Sequence, residues 1–215
     1  MKLYLIRHAQ SERNIGKNSP VDAELTEVGK EQARRLGIYF KDAKIDKVYV
    51  STMKRAKTTY EVIKDYLKVP VVYRKDIVEH NMGIHGDRND DWGKYSKFAK
   101  RQGKNFLEYK PKNGESLEET FERARKFYKL IMKEKGNIVV IAHGIFLKYL
   151  ILNILGMDIK EGSFFSLSNA SVSQFNFERG KLKEFHINDY HHLIIGNAKD
   201  IDIIGKIYGR VKKSE

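Results

Sequence analysis

Two short apolar runs in this chain each end in a histidine: Leu5-Ile6-Arg7-His8-Ala9 close to the start, and Val140-Ile141-Ala142-His143-Gly144 much further along. Brief, nearly continuous apolar runs read as strands buried on both faces. A chain that alternates such strands with helical periods folds most simply as a sheet covered by helices on either side. The carboxyl ends of the strands in an open sheet of that kind are where its chemistry gathers. Two imidazoles placed there, with Arg7 beside the first, point to a pocket for an anion. A guanidinium next to an imidazole is repulsive unless negative charge lies between them.

The rest of the pattern supports the same architecture. Residues 3–6 read as the first strand, followed to about Asp22 by a loop rich in Ser, Asn, Gly and Pro. Val28, Ala33, Leu36 and Phe40 fall on one face of a helix over 26–40. A second strand spans 45–50, and Thr52 is placed to cap a helix reaching Leu67, with Ala56, Tyr60 and Ile63 inside. Pro70 interrupts, and a short strand covers 71–73. Ser116 with Glu119 forms a capping-box pattern, opening a helix with Leu117, Phe121, Ala124, Tyr128 and Ile131 on its buried face and ending near Gly136. A strand at 138–142, an apolar helix at 145–155 closed by Gly156, and two strands joined at Arg179-Gly180 follow. Ile201–Tyr208 reads as an edge element. Residues 80–113 hold no long clean period and read as a cover, with a short helix over 92–101. The order predicts one domain over 1–215: a three-layer α/β sandwich with a mostly parallel central sheet, right-handed crossovers and a short cover insertion.

Composition narrows the function. With 215 residues, 41% of them hydrophobic, the chain suffices for one sizeable core. No run approaches the roughly 20 apolar residues of a membrane span, and Met1-Lys2-Leu3-Tyr4 enters a strand without the pattern of a signal peptide. The absence of cysteine excludes disulfides and thiolate metal sites and fits a cytoplasmic protein. A net charge of +13 favours anionic partners. Nucleic acid is the alternative this raises. However, the lysines are spread along helices, and the aromatics sit on apolar faces or in the cover instead of alternating with basic residues on one surface. Lys212 and Lys213 make at most a small basic tail. The apolar pairs between Leu193 and Ile204 could cover the core or join two chains as a homodimer.

Several side chains near the two strand ends suit a tetrahedral oxyanion. Ser11, Arg13 and Asn14 follow His8 and can donate to phosphate oxygens. Gly144 and Ile145 begin a helix after His143, and helix starts hold anions well. Arg55 lies early in the helix after the second strand, where a bidentate guanidinium could clamp the same anion. Glu79, after the third strand, could pass a proton to a leaving oxygen or take one from water. Each has an ordinary reading alone, as a core histidine, a solvated arginine or a glycine helix start. Only their combination is informative.

Read in series, these segments resemble the histidine phosphatase superfamily, also called phosphoglycerate mutase-like. The resemblance runs through Arg7-His8-Ala9-Gln10-Ser11 with Asn14, Leu25-Thr26 with Gly29, and Ser51-Thr52-Met53-Lys54-Arg55-Ala56 with Thr58. It continues in Glu79-His80-Asn81-Met82-Gly83, Gly114-Glu115-Ser116, Ala142-His143-Gly144 and Asn169-Ala170-Ser171, covering roughly residues 1–190. It implies that His8 is the nucleophile that becomes phosphohistidine. Arg7, Arg55 and His143 would hold the phosphoryl oxygens with Asn14 in support, and Glu79 would protonate the leaving alkoxide. The chemistry agrees: attack needs a neutral imidazole, which surrounding cations favour, and the transferring group needs fixed positive donors. Neither metal nor cofactor is called for, since two arginines and a second histidine supply the field. His80 with His85, and His191 with His192, are not convincing metal pairs.

A phosphatase and a mutase share the first half-reaction. The glycolytic mutases of the family carry a large cover with paired arginines, whereas the cover here is short and offers Arg88, Lys94, Lys97, Lys100 and Arg101 without an adjacent pair. That favours hydrolysis of a small phosphorylated metabolite over a cofactor-dependent phosphoglycerate mutase. Two departures bear on substrate. Arg13 stands where relatives often have Trp, and Ile84-His85-Gly86-Asp87-Arg88 replaces a Trp-Glu-Gly run. His85, Arg88, Trp92 and Tyr95 are the candidate substrate contacts, suited to a small polar leaving group such as a sugar or a carboxylic acid, with phosphorylated nucleosides and phosphoserine also open.

Overall fold

A computed structural model describes residues 1–16, 20–87, 91–163 and 165–194 of the chain. Six strands form one sheet: β1 (Lys2–Arg7), β2 (Lys47–Ser51), β3 (Val71–Arg74), β4 (Ile138–Ala142), β5 (Val172–Glu178) and β6 (Lys181–Asp189), in the spatial order β3-β2-β4-β1-β5-β6. The pairs β3/β2, β2/β4 and β4/β1 are parallel, and β5 and β6 add an antiparallel hairpin beyond β1. The helices are α1 (Glu27–Tyr39), α2 (Lys54–Leu67), α3 (Ile84–Asp87), α4 (Trp92–Arg101), α5 (Leu117–Ile131), α6 (Gly144–Leu155) and α7 (His191–Ile194).

Strand alternation divides the core in two. Leu3, Leu5, Val140 and Ala142 pack with α5 and α6 on one face of the sheet, through Phe127, Ile131, Phe146 and Leu150. Tyr4, Ile6, Val139 and Ile141 pack on the other face with α1 and α2, through Leu36, Ala56, Tyr60 and Ile63. All five residues of β4 are buried, as a central parallel strand requires. Helix α6 is apolar over most of its surface and is accordingly sunk into the core, with Phe146, Leu147, Leu150, Ile151 and Leu152 inaccessible to solvent.

Local signals set most element ends. The Thr26 hydroxyl accepts from Gly29 N at 3.0 Å and starts α1. Ser116 and Glu119 exchange the two hydrogen bonds of a capping box at the start of α5. Gly156 ends α6 in the left-handed conformation, with φ +69°. Arg179 and Gly180 both have positive φ, which matches the right-handed twist of the hairpin they join. Helix α2 departs from expectation: Met53, not Thr52, holds the capping position, with no side-chain cap. The Ser51 hydroxyl stands in nearby, accepting from Met53 N at 3.3 Å. Helix α5 ends at Ile131, a turn before the expected Gly136. The expected edge element at Ile201–Tyr208, the Lys212-Lys213 tail and the apolar pairs beyond Ile194 lie outside the described residues. Among the described residues no helix is long and apolar enough to cross a membrane.

The cover has a nucleus of its own. Tyr95, Ala99 and Tyr109 are buried together, with Met82 and Phe98 packed against them. The loop after β1 is fastened to two helices. Ala9 N donates to Thr59 Oγ1 at 3.0 Å on α2, and Gln10 N donates to Gln32 Oε1 at 2.8 Å on α1. Gly29 lets this loop lie against α1, since a Cβ there would stand 1.9 Å from Gln10 O. The substitution Gly29→Ala is therefore expected to lower stability by about 2 kcal/mol through overpacking, a fall of about 4–8 °C in Tm for a chain of this size. Thermal unfolding followed by circular dichroism measures it; an unchanged Tm would contradict the close approach.

Candidate active site

Strand pairing brings the two histidines together. β1 and β4 run parallel with Arg7 opposite Ala142, so the next residue of each strand, His8 and His143, emerges at the same edge. His8 N donates to Ala142 O at 2.9 Å, continuing the ladder by one bond. The ring centroids lie 5.1 Å apart at 54°. β1 runs on into a loop and β4 into α6, so both rings sit at the carboxyl edge of the sheet.

The hydrogen bonds around His8 fix its proton. Arg55 Nε, which can only donate, lies 3.0 Å from His8 Nε2, so Nε2 presents its lone pair. The proton is then on Nδ1, donated to Ala9 O at 2.7 Å. Burial, helped by the charges of Arg55 and Arg7, holds the His8 pKa well below the ordinary imidazole value. His143 is similarly depressed, by burial first and then by Arg55, His8 and Arg7. Its Nε2 lies 2.7 Å from Ser51 Oγ at the end of the neighbouring strand β2. Its Nδ1 is buried without a hydrogen-bond partner.

Two arginines and one glutamate complete the arrangement. Arg55 is 5% exposed and also donates to Val21 O at 2.8 Å. Arg7 donates through Nη1 to Leu167 O, while its buried Nε has no partner. Gly144 lies beside both groups: a Cβ there would stand 3.4 Å from Arg7 Nε and 3.7 Å from Glu79 Oε2. Glu79 occupies the N-terminus of α6: its Oε1 accepts from Ile145 N at 3.1 Å, Phe146 N at 3.2 Å and His80 N at 2.9 Å. The helix start expected to receive an external anion thus holds the protein's own carboxylate. Oε2 accepts only a long bond, 3.4 Å from Ile145 N, and is the less engaged oxygen.

Arg7, His8, Arg55 and Glu79 line one cavity of about 460 Å³, with Arg13, Asn14 and His80 also in its wall. His143 is fully buried and adds nothing to that wall, because its ring turns toward Ser51. Arg13 reaches across the cavity mouth and donates to Gly86 O at 2.8 Å. Asn14 Oδ1 accepts from Ser11 N and Ser11 Oγ, both at 2.9 Å. Ser11 is therefore a buried support of Asn14 and does not reach the cavity. His85 and Tyr95 also lie away from it. Both are fully buried in the cover's nucleus, with His85 Nε2 at 3.0 Å from the Tyr109 hydroxyl and the Tyr95 hydroxyl donating to Tyr109 O at 2.8 Å. Their apolar neighbours Phe98 and Tyr109 draw them inward. Trp92 is 38% exposed, stacks on His80 and lines an adjoining cavity. Arg88 lies outside the described residues. Asn169 had no assigned role, yet its Nδ2 donates to His8 O at 3.0 Å and Asn14 Oδ1 at 3.2 Å, linking two parts of the site.

Comparison with known proteins shows the family and the fold. The family model described as histidine phosphatase superfamily (branch 1) matches residues 3–190. The chain belongs to that superfamily. It is 30% identical over 192 residues to a phosphatase of Bacillus subtilis, PhoE, covering 86% of this chain and 94% of the relative. Phosphoserine phosphatase 1 of Hydrogenobacter thermophilus is 28% identical, covering 90% of this chain and 94% of its own. The crystal structure of the α-ribazole phosphatase from Shigella flexneri shares the fold, with a TM-score of 0.75 at 23% identity over 88% of this chain and 96% of that one. Phosphoglycerate mutases also occur among the relatives.

Burial of two neutral imidazoles has a measurable consequence. An unfolded chain takes up protons on both rings as pH falls through about 6.5, while the folded chain does not. Their contribution thus destabilises the fold progressively below about pH 6.5 and vanishes above it. In ¹⁵N spectra His8 is expected to stay neutral, protonated on Nδ1, from pH about 8 to about 6. Titration of its ring with a midpoint near 6.5 would contradict the burial and the Arg55 contact.

Proposed function

We propose that the protein hydrolyses the phosphate ester of a small metabolite through a phosphohistidine on His8, without metal. The observation that carries the reading is the lone pair of His8 Nε2, held in the cavity wall by Arg55 beside Arg7 and Glu79. The phosphatases among the relatives support it.

In the proposed cycle the substrate's phosphoryl oxygens draw the Arg55 guanidinium away from Nε2. Arg7 Nε, in the cavity wall and buried without a partner, supplies a further donor to those oxygens, and His143 Nδ1, also unpartnered but outside that wall, reaches them only once Arg55 has moved. Leaving such groups unpaired is costly, and an anionic oxygen satisfies them. With Ser51 Oγ donating to Nε2, the single proton of His143 sits on Nδ1, the orientation needed to donate. His8 Nε2 attacks phosphorus, and the bond to the ester oxygen breaks. Glu79 Oε2, carrying a proton received from the monoanionic phosphate ester on binding, passes it to that oxygen. Water then attacks the phosphohistidine, Glu79 accepts a proton from the water, the P–N bond breaks, and His8 returns to its neutral form with inorganic phosphate released. The covalent stage divides one difficult displacement into two easier ones, and the fixed cations stabilise the charge on the equatorial oxygens.

Mixing with a ³²P-labelled phosphomonoester and quenching is expected to trap label that is lost in acid and kept in alkali, the behaviour of phosphohistidine. His8→Ala abolishes both label and turnover; label on serine, or turnover without His8, would refute the assignment. Glu79→Gln should slow alkyl phosphates by roughly 100-fold and p-nitrophenyl phosphate much less, because nitrophenolate leaves without a proton. Equal losses on both would remove Glu79 from that role. Assaying 3-phosphoglycerate for isomerisation as well as phosphate release separates hydrolase from mutase.

A further inference from the structure

The catalytic cavity does not stand alone. A second cavity, of about 360 Å³, shares Arg7, Glu79, His80 and Met82 with it and adds Trp92, Gly144, Ile145 and Lys148 to its wall. A third, of about 400 Å³, shares Trp92, Ile145 and Lys148 with the second. Its remaining wall is mainly apolar, from Phe106, Leu107, Leu117 and Ile159, with Tyr149 and Lys160 also lining it. The three form a row, and Lys148 stands where the second meets the third. Glu79 stands where the first meets the second. A leaving oxygen protonated by Glu79 lies at that first junction, so the body of the alcohol continues past it toward Lys148.

Lys148 is suited to meet charge there. It is one helical turn beyond Gly144 on α6, about 6 Å along the axis, and so faces the same side. Its stem packs beside Gly162, whose Cβ position would be 3.4 Å from Lys148 Cδ. The side chain is partly buried, and its ammonium forms no hydrogen bond or ion pair with a described residue. Burial lowers its pKa, against the attraction of Glu79 and with the repulsion of Arg7. A partly desolvated, unpaired cation is a cost that a ligand's anionic group offsets. Beyond it, the apolar chamber has the dimensions of a ligand pocket and few polar groups to satisfy.

We infer that this row is the leaving-group subsite, and that Lys148 with the apolar chamber selects phosphomonoesters carrying a second anionic group and an apolar tail. This rests on the hydrolase reading above and specifies its substrate class. Four probes separate its parts: N-octanoyl-O-phosphoserine, its carboxyl methyl ester, N-acetyl-O-phosphoserine and octyl phosphate. Wild-type kcat/KM is expected to be about tenfold higher for the octanoyl acid than for its methyl ester, the size of one charged hydrogen bond. It is expected to exceed that of the acetyl compound by at least about tenfold, from burial of the longer tail. Octyl phosphate, with the tail and no second anion, should fall with the methyl ester. Lys148→Met should bring the acid-to-ester ratio close to one through KM, and Lys148→Arg should restore it. Leu107→Asn should reduce the octanoyl-to-acetyl ratio while the acid-to-ester preference persists. A wild-type acid-to-ester ratio near one, or an octanoyl-to-acetyl ratio near one, overturns the inference while hydrolysis itself stands. Failure to turn over p-nitrophenyl phosphate or to form a phosphoenzyme removes the hydrolase reading, and this inference with it.

Discussion

The parallel pairing of β1 with β4 is the constraint from which the site follows. Because Arg7 lies opposite Ala142, the histidines that follow them cannot be far apart. A slip of one residue would send each strand's side chains to the wrong face and separate the rings. That register is secured by burial. Leu3, Ile6 and the whole of β4 have almost no solvent exposure, and each alternates between two well-filled cores. The chemistry at the strand ends is thus positioned by apolar packing a few residues upstream.

Charge at the site is arranged in layers around this pair. Three cationic or potentially cationic groups, Arg7, Arg55 and His143, crowd His8, and burial keeps the imidazoles neutral. Glu79 offsets the guanidiniums, raising the pKa of both against desolvation. It is itself fixed by the first amides of α6, so one carboxylate ties the sheet's cation cluster to a helix start. Arg55 Nε rests on His8 Nε2, the atom that the proposed reaction uses as nucleophile.

Much of this was legible in the residues themselves. Strong periods gave α1, α5 and α6, and the capping box of Ser116 and Glu119 placed the start of α5 at the right residue. Arg7, His8, Arg55 and Glu79 were visible because each ends or follows a strand or opens a helix, and in that class of fold those places converge. Tertiary contacts were not visible. Ser11, His85 and Tyr95 carry polar groups that suit a ligand, yet neighbours inside the protein satisfy them: Asn14 for the first and the cover's aromatic cluster for the other two. Asn169 entered only through the family resemblance, without a role, and Lys148 was not singled out, for the converse reason. They come from distant parts of the chain and acquire meaning only when the hairpin and α6 are folded beside β1.

The cover's separate nucleus has a consequence for how proteins of this plan diversify. Tyr95, Ala99 and Tyr109 support one another with little help from the two main cores. Insertions, deletions and exchanges in that segment can therefore accumulate while the sheet, and the reaction it hosts, persist beneath. New substrate preferences can arise by remodelling a roof whose beams are not those of the house.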